Sequence, residues 1–461
     1  MRALLFFLSF FLFLPGAPAQ QGAQDTATCM YVQSIHIDGR RKTRDVVILR
    51  ELSVQPGDCL PESSLDQVAE LNRQRLYNLR LFNEVDVRWN VLCGDTVQMQ
   101  ISVIDRFPIF PEFNVEFADR NFNVWWSEQH RDLRRINLGL TLNHNNFRGN
   151  REVIGVTGQA GYTQEVGLSY SRPFVDKQQK HGFGLSVFGL QNREIAYKTN
   201  WNKLLFYRDE NNFVQRRFDV SGWYTYRPRY AIVHTLQLTF QHYWINSRIA
   251  ALNPDYLGEG HNEENVLSFR YRFEWNRTDN WNYPLAGKRF IGYFDQKYLF
   301  SDRSFQSSFH VQYDQYLNPW KNWYAAFIFR GRLSFPQRQP YIFQQNLGYD
   351  FDYIRGFEYY VLDGSAFSLL RIDFKRTLLD KTIRLPVRYF EVIPIQVYAK
   401  IYGDAGISYN KFPVNDLLNN RGLLSGGAGI DIVTLYDIKV RIEYTFNSLR
   451  EKGLFLHKNG E

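Results

Sequence analysis

The sequence predicts a transmembrane β-barrel of about 16 antiparallel strands, preceded by a small α+β domain. Three observations predict it. From residue 110 onward, segments that alternate apolar and polar residues recur every 20 residues or so, roughly the length of a ~10-residue barrel strand with its turn. Aromatic residues make up 17% of the chain although its mean hydropathy is −0.40; barrels place such residues in girdles at both membrane interfaces. Beyond the N-terminus, no segment approaches the ~18 consecutive apolar residues of a membrane helix. An aromatic-rich soluble β-sandwich or propeller is the competing architecture.

The N-terminus reads as a secretory signal over residues 1–19. Met1-Arg2 supplies positive charge, Ala3 to Leu14 an apolar run, and Ala17-Pro18-Ala19 a small-residue cleavage site before Gln20. The run is too short for a membrane anchor across ~30 Å. Residues 20–105 follow as a separate unit. Val32, Ile35 and Ile37 mark a strand, Thr43 to Leu52 and Glu62 to Tyr77 two helices, and Phe82 to Val91 with Thr96 to Ile104 a hairpin around Cys93-Gly94-Asp95. Two helices on one face of a three-stranded sheet make a workable core. All three cysteines, Cys29, Cys59 and Cys93, lie in this unit; an oxidising envelope allows one disulfide and leaves one thiol. The net charge of +8 is scattered over polar strand faces, which fits anionic headgroups or an acidic lumen partner and argues against nucleic acid.

Residues 106–111 form a proline-bearing linker, and residues 112–461 the barrel. Its strands begin near residues 110, 134, 151, 164, 182, 213, 232, 265, 286, 304, 322, 365, 394, 423, 437 and 452, with long polar stretches near 196–212, 246–264 and 335–363. The last stretch contains the loop 344–364 with Arg355-Gly356-Phe357 at its centre. In the strand after it, Leu370, Ile372 and Phe374 share one face and Arg371, Asp373 and Lys375 the other. In the next, Gln396, Tyr398, Lys400, Tyr402 and Asp404 share a face. Asp373 and Asp404 therefore both face the lumen on adjacent strands. A guanidinium binds carboxylates through paired donors, so Arg355 either folds inward to bridge them or stays solvated on a surface loop. Catalytic signatures are missing: there is no G-x-S-x-G, H-E-x-x-H or phosphate loop, and the nine histidines show no metal-ligand spacing. The sequence therefore implies no enzyme, metal or cofactor.

Several motifs carry a family resemblance. Ile35-x-Ile37-x-Gly39, Pro56-Gly57 and Leu76-Tyr77-Asn78-Leu79-Arg80-Leu81-Phe82-Asn83-Glu84-Val85-x-Val87 resemble a POTRA domain, although Arg80 stands where that family usually has glycine. The POTRA fold would bring the three cysteines to one end, and the implied pair is Cys29–Cys93. Gly348…Ile354-Arg355-Gly356-Phe357, Arg371-Ile372-Asp373-Phe374 and Tyr402-Gly403-Asp404-Ala405-Gly406 resemble three motifs of the BamA/TamA superfamily of outer-membrane insertases and translocators. That resemblance implies an infolded sixth loop whose Arg355 meets Asp373 and Asp404. It also implies a lateral gate where the first and last strands meet, at Phe113, Val115 and Phe117 on one side and Gly453 and Phe455 on the other. The implied setting is the outer membrane of a Gram-negative cell with the first domain in the periplasm, and the implied role is insertion of unfolded outer-membrane clients into the bilayer, alone or with other envelope assembly subunits. A polypeptide translocator and a non-catalytic structural subunit are the alternatives; a barrel enzyme is a third. Two departures stand out: there is one POTRA-like domain, and the last strand is short, without a terminal aromatic.

Overall fold

The computed structural model describes residues 29–39, 41–117, 125–126, 130–349, 352–384, 392–434 and 438–458. The expected signal peptide lies outside them.

The N-terminal unit is a four-stranded sheet of β1 (Cys29–Asp38), β2 (Cys59–Pro61), β3 (Phe82–Cys93) and β4 (Thr96–Asp105), in the order β2-β1-β4-β3. Short helix Asp45–Leu49 and longer helix Leu65–Tyr77 accompany it. Val47, Ile48 and Leu76 from the helices meet Phe82, Met99, Ile101 and Val103 from the sheet in one apolar cluster. Burying a large apolar side chain stabilises by about 1.5–3 kcal/mol, and this cluster holds the unit together. Arg80 occupies the left-handed region at φ 59°, the conformation for which glycine is the usual choice. The turn therefore keeps its shape with arginine in place of glycine.

Two details depart from the sequence reading. The sheet has a fourth strand, β2, which pairs with the start of β1 through Cys29↔Pro61 and Tyr31↔Cys59. The disulfide joins Cys29 to Cys59, not Cys29 to Cys93. The sheet order supplies the reason: β4 stands between β1 and β3, so Cys93 sits two strands away, while β2 brings Cys59 to a Cα–Cα distance of 5.6 Å from Cys29. Cys93 is an exposed free thiol.

The remaining chain forms an antiparallel sheet of 16 strands. It begins with β5 (Ile109–Phe117), β6 (Ile136–Phe147), β7 (Glu152–Gly161), β8 (Thr163–Arg172) and β9 (His181–Asn192). A hairpin of β10 (Glu194–Asn200) and β11 (Lys203–Arg208) stands apart from that sheet. The sheet continues with β12 (Gln215–Arg229), β13 (Ile232–Ile245), β14 (Glu263–Thr278), β15 (Gly287–Leu299), β16 (Ser304–Trp320) and β17 (Trp323–Phe335). Two short strands, β18 (Gln345–Leu347) and β19 (Leu362–Asp363), pair inside the next loop. The sheet ends with β20 (Ala366–Arg384), β21 (Val392–Tyr409), β22 (Leu423–Val433), β23 (Lys439–Asn447) and β24 (Lys452–Lys458). The strand period thus locates all 16. β5 starts three residues before the barrel boundary expected at residue 112, and takes in Pro111. Proline is tolerated there because β5 is the last strand of the sheet. Among the described residues, no helix is long and apolar enough to cross a membrane.

The two faces sort as the alternation requires. Ile372, Ile401, Ile430, Ile442 and Phe446 are exposed, while Arg371, Asp373, Lys400, Asp404, Asp431 and Glu443 are buried in the lumen. β24 and β5 are the two ends of the sheet, and no ladder joins them among the described residues.

Candidate functional site

The loop between β17 and β20 turns into the lumen. Its apolar residues Leu347, Ile354, Phe357 and Leu362 pack with Phe367 and Leu369 of β20, and with Leu418 and Leu423 near β22. This places Arg355, with 5% of its surface exposed, against the charged face of the last strands. Its backbone N–H donates to Asp404 Oδ2 at 3.0 Å, and its Nε donates to the same oxygen at 2.9 Å. Its Nη2 lies 2.8 Å from Asp373 Oδ1, and its Nη1 lies 3.5 Å from Glu443 Oε1. The guanidinium also stacks 3.9 Å over the Tyr402 ring. A planar fork with five donors fits three carboxylates and a ring face at once, as an ammonium does not.

Two glycines make this docking possible. Gly356 has φ +84°, and a Cβ there would meet Thr445 Cγ2 at 2.7 Å. A Cβ on Gly406 would meet Ile354 Cδ1 at 2.6 Å, so the glycine two residues after Asp404 is the notch that receives the residue before Arg355. Phe357 is 2% exposed and anchors the tip.

The network extends beyond the residues the motifs identify. Lys400 bridges Asp431 and Glu443, both at 2.6 Å. Lys375 lies 3.3 Å from Asp431 and 3.7 Å from Asp373. Tyr283 donates to Asp431 at 2.7 Å. Arg371 donates to the Tyr353 carbonyl at 2.6 Å and stacks on its ring. Parity alone put Lys400 on the Asp404 face; Glu443 and Asp431 carried the same lumen-facing signal, with nothing in the sequence to pair them with Arg355 or Lys400. Buried charges are tolerated only when each is paired and hydrogen-bonded, and here cations and carboxylates alternate.

The loop is also tied to the last hairpin. Asn447 Nδ2 donates to the Gly356 carbonyl at 2.7 Å, and Tyr360 donates to Glu451 at 2.7 Å. Tyr353 stacks on His457 at 5.2 Å, Tyr359 packs against Phe455, and His457 lies 3.3 Å from Glu443. At the seam, Phe113 and Val115 are 72% and 53% exposed, on the outer face, and Phe117 closes the β5–β6 ladder opposite Ile136. Phe455 is 3% exposed and points into the lumen beside Gly453, whereas Leu454 and Leu456 face outward. The structure therefore brings Arg355, Asp373 and Asp404 together, and puts Val115 and Phe455 on opposite faces.

Beyond the lumen, Asn202 at the tip of the β10–β11 hairpin donates to Asp416 at 2.9 Å and to the Val361 carbonyl at 3.2 Å. Loops from three parts of the chain are thus tied together at the end away from the N-terminal unit.

Comparison with known proteins fits this architecture. Residues 30–103 match the POTRA family, described as surface antigen variable number repeat. BamA from Haemophilus ducreyi lacking POTRA domains 1–3 superposes with a TM-score of 0.50 at 15% identity, covering 93% of this chain and 83% of that one. CdiB from Acinetobacter baumannii gives 0.50 at 12% identity over 93% and 73% of the two chains. CdiB from Escherichia coli gives 0.50 at 11% over 96% and 92%. The fold is that of the BamA and CdiB barrels. One POTRA domain precedes it here. A sequence comparison with curated proteins finds no match.

Proposed function

We propose that the protein is an outer-membrane assembly factor that takes unfolded barrel clients from the periplasm and releases them sideways into the bilayer. The observation that carries this reading is the seam. β5 and β24 are the two open ends of a 16-strand sheet, and the loop holding Arg355 is fastened to the β20–β24 flank, to Arg330 and Arg332 of β17, and to Asn202 of the β10–β11 hairpin, with none of these ties reaching β5 among the described residues. Unpaired edge groups facing lipid are costly and invite strand addition. A client strand would satisfy those of β5 while the braced flank stays rigid. The POTRA sheet offers a second template, since β3 is its long terminal strand. In this reading the barrel lies in the outer membrane, the POTRA domain in the periplasm, and the partners are unfolded clients, lipid and other assembly subunits. The alternative is a translocator passing polypeptide through the lumen. The infolded loop and the tied outer loops lie in that path, which favours lateral release.

The test uses purified protein in liposomes with an unfolded barrel client, followed by protease protection. A disulfide between Val115→Cys and Leu454→Cys, both on the outer face, locks the seam. Acceleration that the oxidised lock abolishes and reduction restores is the expected result. Acceleration that survives the lock points away from the seam, and no acceleration in either state favours the translocator or structural-subunit reading.

A further inference from the structure

A cavity of about 1120 Å³ lies between the POTRA domain and the barrel turns beneath it. Arg41, Lys42, Arg80, Arg106, Arg148 and Arg151 line it, against two carboxylates, Asp105 and Glu112. Asp105 is already engaged, accepting from the Thr43 backbone at 3.2 Å and hydroxyl at 2.9 Å. Arg41 is paired with Asp45 and Arg148 with Glu152. The side chains of Lys42 and Arg151 make no hydrogen bond or ion pair with a described residue.

The cavity wall at Arg227, which also lines it, is short of negative charge as well. Arg227 donates to both oxygens of Glu51, at 2.6 and 2.8 Å, and Arg50 lies 3.0 Å from the same carboxylate. Arg151 is close enough to feel both. Burial lowers the pKa of Arg151 and of Arg50 to about 10, and each is repelled by Arg227 and attracted by Glu51. A guanidinium does not lose its proton in a protein. The available relief is a carboxylate or other anion brought in from outside.

The remaining lining selects among anions. Leu81, Phe107, Phe174 and Trp281 give the cavity an apolar component beside its cations. Leu81 leads directly into β3, the terminal strand of the POTRA sheet. An extended chain added along β3 would run to this wall.

We infer that the cavity is a receiving site for an extended client segment that alternates acidic and apolar side chains, its carboxylates held by Arg151 and Lys42. This rests on the assembly-factor reading and names the chemistry of the segment such a protein would receive. It goes beyond it in assigning a recognition site outside both the seam and the lumen network.

The test is binding of fluorescein-labelled peptides to the detergent-purified full chain, read by anisotropy. The three probes alternate valine with glutamate, glutamine or lysine. The glutamate peptide should bind, and the other two should bind at least about tenfold more weakly, which is ~1.4 kcal/mol. The Lys42→Gln/Arg151→Gln variant should lose that preference while keeping its heat resistance on semi-native gels. If the double variant loses heat resistance, the exposed Lys42→Gln alone carries the test, with a smaller loss in the same direction. Equal binding of the three peptides, or a glutamate preference unchanged in the variant that stays folded, overturns the inference. Displacement of the peptide by inorganic phosphate at matched ionic strength also overturns it, by making this a general anion site. Liposome insertion is scored separately. Insertion without charge-selective binding removes this inference and leaves the assembly-factor reading standing; the reverse outcome removes the reading and leaves an acidic-peptide site.

Discussion

At the scale of single residues, Arg355 neutralises Asp404 and Asp373 and approaches Glu443, all in a space from which water is largely excluded. Removing one member of a buried ionic group leaves the others uncompensated, which costs about 3–5 kcal/mol. Arg355→Ala should therefore lower the temperature at which the barrel loses its compact mobility on semi-native gels. Arg355→Lys should fall between, because it keeps the charge and loses the fork. Gly356→Ala tests a different feature, since it adds a methyl group against Thr445 in a left-handed backbone without touching any charge. A loss of about 1–3 kcal/mol is expected from the strained conformation, and a variant as heat-resistant as the parent would mean the loop tip is not held against β23. Asp373 and Asp404 were legible because period-two alternation fixes which face a strand residue shares with its neighbours. The partners of Glu443, Asp431 and Lys375 were not assigned, because they lie on strands or loops whose inward fold the alternation does not specify.

At the scale of elements, the strand starts were readable throughout the barrel, since each strand must alternate to meet lipid on one side and water on the other. Contacts between elements were harder to read. The cysteine pairing failed for this reason: β2 has three residues and no alternation to announce it, yet it decides which cysteine lies beside Cys29. Cross-linking across 30 residues restricts the unfolded chain by about 3–4 kcal/mol. Cys59→Ser should lower the melting temperature of the POTRA domain, and Cys93→Ser should leave it unchanged. Non-reducing peptide mapping that recovers Cys29 linked to Cys93 would contradict the assignment. The same logic governs the seam. A lock from Val115→Cys to Phe455→Cys should form poorly because the two residues lie on opposite faces, whereas Leu454→Cys or Leu456→Cys shares the face of Val115.

At the scale of the whole molecule, the POTRA domain is fastened to the barrel turns by an ion pair that the sequence gives no means of seeing, because Glu51 and Arg227 are 176 residues apart. Glu51 has no exposed surface and accepts both arms of the Arg227 guanidinium, while Asn78 donates to Tyr230 at 3.2 Å and Arg75 stacks on its ring. Burial alone would raise the Glu51 carboxyl, but the Arg227 charge, the hydrogen bonds it donates and the nearby Arg50 outweigh burial and hold the group below its ordinary value. The sign of the pH dependence follows. A carboxyl depressed in the docked form contributes its full docking free energy above the undocked value of about 4.3, and loses it as pH falls through the lower, docked value. Docking should therefore be unchanged from neutral pH into mild acid and weaken only in stronger acid. Glu51→Gln should undo it at neutral pH, since it leaves Arg227, Arg50 and Arg151 facing one another around an uncharged amide. Protease cutting at residues 106–108, between β4 and β5, reads both effects. Faster cutting of Glu51→Gln at neutral pH, with the parent chain resistant until strong acid, is the pattern a single buried carboxylate latch requires. Equal cutting rates in the two proteins would place the docking energy in the contacts around Tyr230 instead.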